Sequence, residues 1–197
     1  MAMKVQTKVA LALGAGVLAT WMVGSAVLGD GDAKASEHLV NRAWIDHMPN
    51  DNRDMVQHLV VLDHSKGKFG AIGVSSSWRH VIEVFRWRQD GDRLSLYFPQ
   101  DQVRAAVGVR TWRCEGEAPA PFQLCLELRT PKGERVTLYS RSDWEIRPGD
   151  VADSIADIVD DYPALAGVFD ELSDAEVEIL GDADLDGADA WPLRSLS

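Results

Sequence analysis

The chain has 197 residues, an apolar share of 46% and seven Trp, enough for one domain with its own core and no need of metals or many disulfides. Its net charge is −11, but the acidity is local: from Gly149 onward there are fourteen acids against one base, Arg194, whereas the preceding residues hold nineteen bases and seventeen acids. This balance excludes a nucleic-acid-binding domain built on a strong basic excess, and it separates a mildly basic body from an acidic tail.

At the N-terminus, Lys4 and Lys8 precede an uncharged apolar run, Val9 to Gly29, closed by Asp30 and Asp32. A basic flank before an apolar run is the layout of a signal peptide or signal anchor over 1–29. The run is about the 20 residues that cross a bilayer as a helix. The flanking charges send the downstream chain out of the cytoplasm. Gly24-Ser25-Ala26 and Ala33-Lys34-Ala35 are the cleavage candidates, and both fates, an anchored or a secreted protein, remain open. Residues 30–36 then serve as a linker.

The body, 37–148, is expected to be mainly β, an antiparallel meander of about eight strands. The first strand is read over Leu39–His47, the next two over Val56–Leu62 and Phe69–Val74 about the turn His64–Gly67. Trp78–Phe98 is a hairpin about Asp90-Gly91, with Leu94, Leu96 and Phe98 on one face. His80, Ile82 and Val84 share a face read as interior. Ala105–Cys114, Phe122–Arg129 and Arg135–Arg141 follow, with Phe122, Leu124, Leu126 and Leu128 facing one way and Val136 and Leu138 inward. Trp144–Ile146 is a last short strand. Regular strands joined by short turns suggest an up-and-down barrel, with a sandwich as the alternative.

Cys114 and Cys125 are the only cysteines and flank a Gly/Pro-rich loop. Pairing Cys114 opposite Cys125 puts Trp112 opposite Glu127 and Arg110 opposite Arg129, a spacing that permits a disulfide in an oxidising compartment.

With a Trp in the first strand (Trp44 in NRAWIDHMP) and an Arg ending the last long one (Arg141 in LYSRSDW), the stretch 39–147 resembles the lipocalin-like (calycin) barrels. That resemblance implies a barrel closed at one end by Trp44 packed under Arg141, and a cup for a small apolar or amphipathic ligand. The chain departs from the family at Arg42, where the family's Gly-x-Trp has Gly, and in carrying an acidic tail where the family has a helix.

Arg and Trp interleave at Trp78, Arg86, Trp87, Arg110 and Trp112, which reads as a cation–π surface for an anionic amphiphile or as Arg stems covering Trp rings. None of the five His has the spacing of a zinc site. Ser75-Ser76-Ser77 and Asp63-His64-Ser65 lack the context of a catalytic nucleophile, so no enzyme activity and no cofactor is expected. In the tail, 149–197, Val151, Ile155, Ile158 and Val159 share one face of a short helix ending before Pro163. Ser173–Glu176 is a capping box opening a second helix. Asp182, Asp184 and Asp186 match the first half of a calcium loop, D-x-D-x-D-G, whose twelfth position is Leu193 instead of Glu. The sequence therefore points to an exported, non-enzymatic barrel that binds an apolar or amphipathic ligand at the cell envelope. The alternative is a packed barrel whose tail docks a protein partner or calcium.

Overall fold

The computed structural model describes residues 36–114 and 116–169. The expected signal or anchor segment, its cleavage candidates, the expected second tail helix and the Asp182–Asp184–Asp186 triplet lie outside them.

Eight strands run in chain order: β1 (Arg42–Ile45), β2 (Val56–His64), β3 (Gly67–Ser76), β4 (Arg79–Asp90), β5 (Arg93–Phe98), β6 (Val103–Arg113), β7 (Leu124–Arg129) and β8 (Arg135–Ser140). Each pairs antiparallel with the next, and β8 closes on β1 through Ile45 opposite Tyr139. The sheet is a closed up-and-down barrel, which settles the alternative against the sandwich and leaves no free edge. The β4–β5 hairpin turns on Gly91, whose φ of 58° suits a residue without Cβ. Trp144–Ile146 is not a strand; it contributes one bridge, Arg42 to Glu145.

Two apolar layers hold the barrel. The inner one is built by alternate residues from every strand, among them Trp44, Leu59, Phe85, Leu96, Leu126 and Leu138. The outer one covers β1–β3: Ala43, Ile45, Val56, Val60 and Ala71 point outward and meet Trp144, Ile146 and a helix, α1 (Val151–Asp161). That helix buries Val151, Ile155 and Ile158, three of the four positions its spacing singles out. Beyond it, a 3₁₀ turn (Pro163–Leu165) carries Leu165, Val168 and Phe169 into the same layer. A helix thus does follow the barrel and packs on its wall. This stretch, Pro163 to Phe169, is a strap over the wall, and at Gly167 it runs so close to the β3–β4 turn that an added Cβ would fall within the Ser77 side chain and backbone.

The second apolar layer reverses one expectation. His80, Ile82 and Val84 point outward, and Ile82 and Val84 pack on the edge of the outer layer. The inward residues of β4 are Phe85 and Trp87, hence also Glu83 and Val81. Phe122 likewise leaves the face of Leu124, Leu126 and Leu128. It precedes β7, stacks on Tyr139 and meets Trp144 edge-on in the outer layer.

Candidate functional site

The two ends of the barrel differ. At the end holding the β4–β5 turn, residues 36–41 cross beneath the strands and close it. Leu39 is fully buried in the inner core and its carbonyl accepts the Trp44 indole N–H at 3.1 Å. His38 N–H donates to Thr111 Oγ1 at 3.2 Å, and the Gln89 amide donates to Ser36. The inward residues above this plug (Val61, Trp87, Leu94, Val109 and Leu124) are all buried.

The pair expected to close this end does not form. By register Arg141 continues the outward face of β8. It makes a two-pronged ion pair with Asp143 (2.9 and 2.8 Å), donates to Pro121 O, and lies 5.1 Å over the Tyr162 ring. Trp44 faces the interior. The buried guanidinium at the closed end is Arg42, 6% exposed and facing inward opposite Val61. It donates to the Arg141 carbonyl and reaches Glu145 at 3.4 Å, while its Nε has no hydrogen-bond partner among the described residues. Burial lowers its pKa, and the Glu145 carboxylate opposes that shift. Arg42, a departure from the family pattern in sequence, supplies the cation there instead.

The opposite end is a mouth. Inward positions at this end include Ile72, Val74, Val81, Val103, Ala105 and Val136, which are half-buried or exposed, while Phe98 and Leu128, facing Val103 and Val136, are buried. Val81 is 38% exposed, and Trp78, in the β3–β4 turn on the rim, is 76% exposed. Phe85 and Phe98, with ring centroids 5.7 Å apart, are buried on the same inward face, Phe98 directly opposite Val103. One carboxyl, Glu83, sits on this apolar wall opposite Ile72. Desolvation raises its pKa, and the nearby Asp101 charge adds to the rise. The β1–β2 loop at this end is fixed by His47, which bonds Asp46 at 2.8 Å and Asp54 at 3.2 Å; Asn50 holds Asp54 as well. The hydrogen bonds from Asn50 lower the Asp54 pKa, whereas burial raises that of Asp46.

The Arg–Trp residues do not form one surface. Trp87 lies inside the barrel, its indole N–H shared by the Leu62 and Phe69 carbonyls at 3.0 and 2.9 Å, with Lys68 Nζ 4.7 Å from the ring. Arg86 and Arg110 point out from β4 and β6, and Arg110 lies 5.1 Å over Trp112. Trp78 is on the rim. The Cys114–Cys125 disulfide is present, with Cα atoms 5.8 Å apart, but the register is two residues from the expected one. Trp112 faces Cys125, Arg110 faces Glu127, and Gly108 faces Arg129, so the bridge is diagonal.

A buried His–Ser pair lies under the strap. His58 and Ser75, 1% and 0% exposed, bond at 2.9 Å, and the Phe169 ring stands edge-on to His58 at 6.4 Å. Desolvation, then the His80 charge, lowers the His58 pKa to about 4. A nucleophile sealed beneath Phe169 cannot meet a substrate, so this pair is read as packing. Among the described residues no group of three or more His, Cys, Asp or Glu is placed to hold a metal ion.

No family model, no curated protein and no solved structure matches the chain.

The two-sided apolar pattern of β4 hides the mouth in the sequence. The signal that could have found it is Phe85 and Trp87, the bulkiest pair of that strand; counting back by two from them reaches Glu83 and Val81.

Proposed function

We propose that the protein is a non-enzymatic binding module that takes the apolar part of an amphiphile into the barrel mouth, in the manner of lipocalin-like barrels, at the cell envelope. The observation that carries this reading is the contrast between the two ends: a plugged, fully packed base, and a mouth whose inward wall is apolar and partly open beneath an exposed Trp78. Apolar surface left open in a concave site is where an apolar ligand gains most. Because the filled interior leaves only the outer end, the ligand is a short or partly inserted chain. Glu83, already disfavoured as an anion, makes the wall hostile to an anionic head and suits a neutral hydrogen-bonding or cationic one. This replaces the anionic amphiphile suggested by the Arg–Trp pattern, since those arginines lie outside the barrel.

The test is a titration of the chain from Ser36 onward, prepared without detergent, with single-chain amphiphiles of cationic, neutral and anionic heads. Trp78 fluorescence is the readout, with Trp78→Phe as the blank. Saturable binding that is lost in Ala105→Trp, which plugs the mouth, is the expected result. Binding unaffected by the plug would overturn the proposal. The packed interior also favours a second reading, an interaction module whose rim, led by Trp78, docks a protein. In that case no amphiphile saturates, and Trp78→Ala abolishes partner binding.

A further inference from the structure

The wall not covered by α1 is strongly basic. The outward positions from Arg86 on β4, across β5, to Arg110 on β6 carry Arg86, Arg88, Arg93, Arg104 and Arg110 against one acid, Asp90. Asp90 faces Arg93. Arg110 faces Glu127, whose two oxygens already bond Arg129 at 2.9 Å and Arg135 at 3.3 Å. Arg86 and Arg104 flank Tyr97 in one row, and small residues, Ser95 and Ala106, lie in the next. The outcome is a low floor between cationic rims. The exposed acids of α1, Asp153, Asp157, Asp160 and Asp161, sit over the other wall and cannot neutralise it.

The complementary charge is in the same chain. Between Asp170 and Asp189 there are nine acids, and after Phe169 only one base, Arg194. This segment starts at the mouth end of the outer layer, over β2 and the β3–β4 turn, because Gly167 abuts Ser77 in that turn and Phe169 meets His58 on β2. From there to Arg88 is about ten residues along β4, roughly 30 Å, and from β2 to β6 four strand spacings, roughly 20 Å; a stretch as long as 170–189 spans up to roughly 66 Å when extended. We propose that the acidic segment 170–189 docks on its own barrel, across the arginine wall of β4–β6. Tethering gives it roughly millimolar effective concentration at the wall. Any other anionic surface, a lipid headgroup layer included, must displace it, so the tail acts as a built-in competitor for that wall. The docking does not depend on ligand binding at the mouth.

The test is arginine footprinting of the full chain, held in nanodiscs of zwitterionic lipid, with phenylglyoxal as reagent and peptide mass spectrometry as readout. Arg88, Arg104 and Arg110 are expected to react several-fold more slowly than in a full-length variant with the nine tail acids changed to Asn or Gln. Arg147, on the other wall, serves as the reference. The protection should vanish at about 1 M salt, where charges are screened beyond roughly 3 Å. Equal rates in the two chains would overturn the docking. Protection that follows the tail acids but fades on dilution would assign them to a neighbouring copy and overturn the intramolecular form. As an independent reading, a Glu-specific protease should cut at Glu176 and Glu178 faster in Arg88→Glu/Arg104→Glu/Arg110→Glu than in the native chain. Unchanged cleavage would count against the wall as the docking surface.

Discussion

His58 links the strap to pH. In the folded protein its pKa lies at about 4, below its ordinary 6.5, because burial under Phe169 penalises the cation and His80 adds repulsion. A depressed histidine pKa means that the unfolded chain binds the proton more readily than the folded one. The stability is therefore full above pH 6.5 and is lost as pH falls toward 4. At about 1.4 kcal/mol per tenfold change in proton affinity, the whole loss is about 3 kcal/mol, of which about 2 kcal/mol is gone by roughly pH 5. Urea unfolding of the chain from Ser36, followed by intrinsic Trp fluorescence between roughly pH 7.5 and 5, measures it. His58→Gln keeps a polar partner for Ser75 and has nothing to titrate in this range. Its stability should fall less steeply than that of the native chain, with a difference of about 2 kcal/mol at roughly pH 5, while contributions from the other titrating groups cancel in the comparison. Parallel curves for the two proteins would refute the reasoning.

Two further outcomes rest on the same packing. Reducing the Cys114–Cys125 bond, which closes an eleven-residue separation, should lower the unfolding free energy by about 3 kcal/mol on the chain-entropy model, read as a shift in the urea midpoint with and without reductant. Gly167→Val drives a side chain into Ser77 and should cost about 1–3 kcal/mol, as overpacking does. Hydrogen exchange should show the loss concentrated in the strap and in the amides around His58, with the β5–β7 amides unchanged.

Much of the barrel is legible in the sequence because one face of most strands is wet. β5 obeys its alternation residue for residue, Leu94, Leu96 and Phe98 inward, and β7 and β8 do so from Leu124 and Val136. The helical spacing of Val151, Ile155 and Ile158 announces α1, though not that its apolar stripe lands on the barrel. That contact is what obscures β4: with apolar residues on both faces, alternation cannot choose the interior, and Ile82 and Val84 are as eligible as Phe85. The loop between the cysteines points to the disulfide, but directly facing cysteines are not required; Cys114 and Cys125 bridge diagonally while Trp112 takes the facing place. Arg141 has the sequence position of a barrel-closing arginine, and Asp143 and Tyr162 draw it outside. Arg42 is hidden because a charged residue beside a plug segment reads as surface.

The most direct measurement of the central claim is native mass spectrometry of the chain from Ser36, isolated from an oxidising compartment without detergent and then offered the amphiphiles. The account predicts one added ligand mass per chain that disappears on solvent denaturation and is absent from Ala105→Trp. A bare mass in the presence of every amphiphile, or a ligand retained equally by the plugged variant, would contradict it.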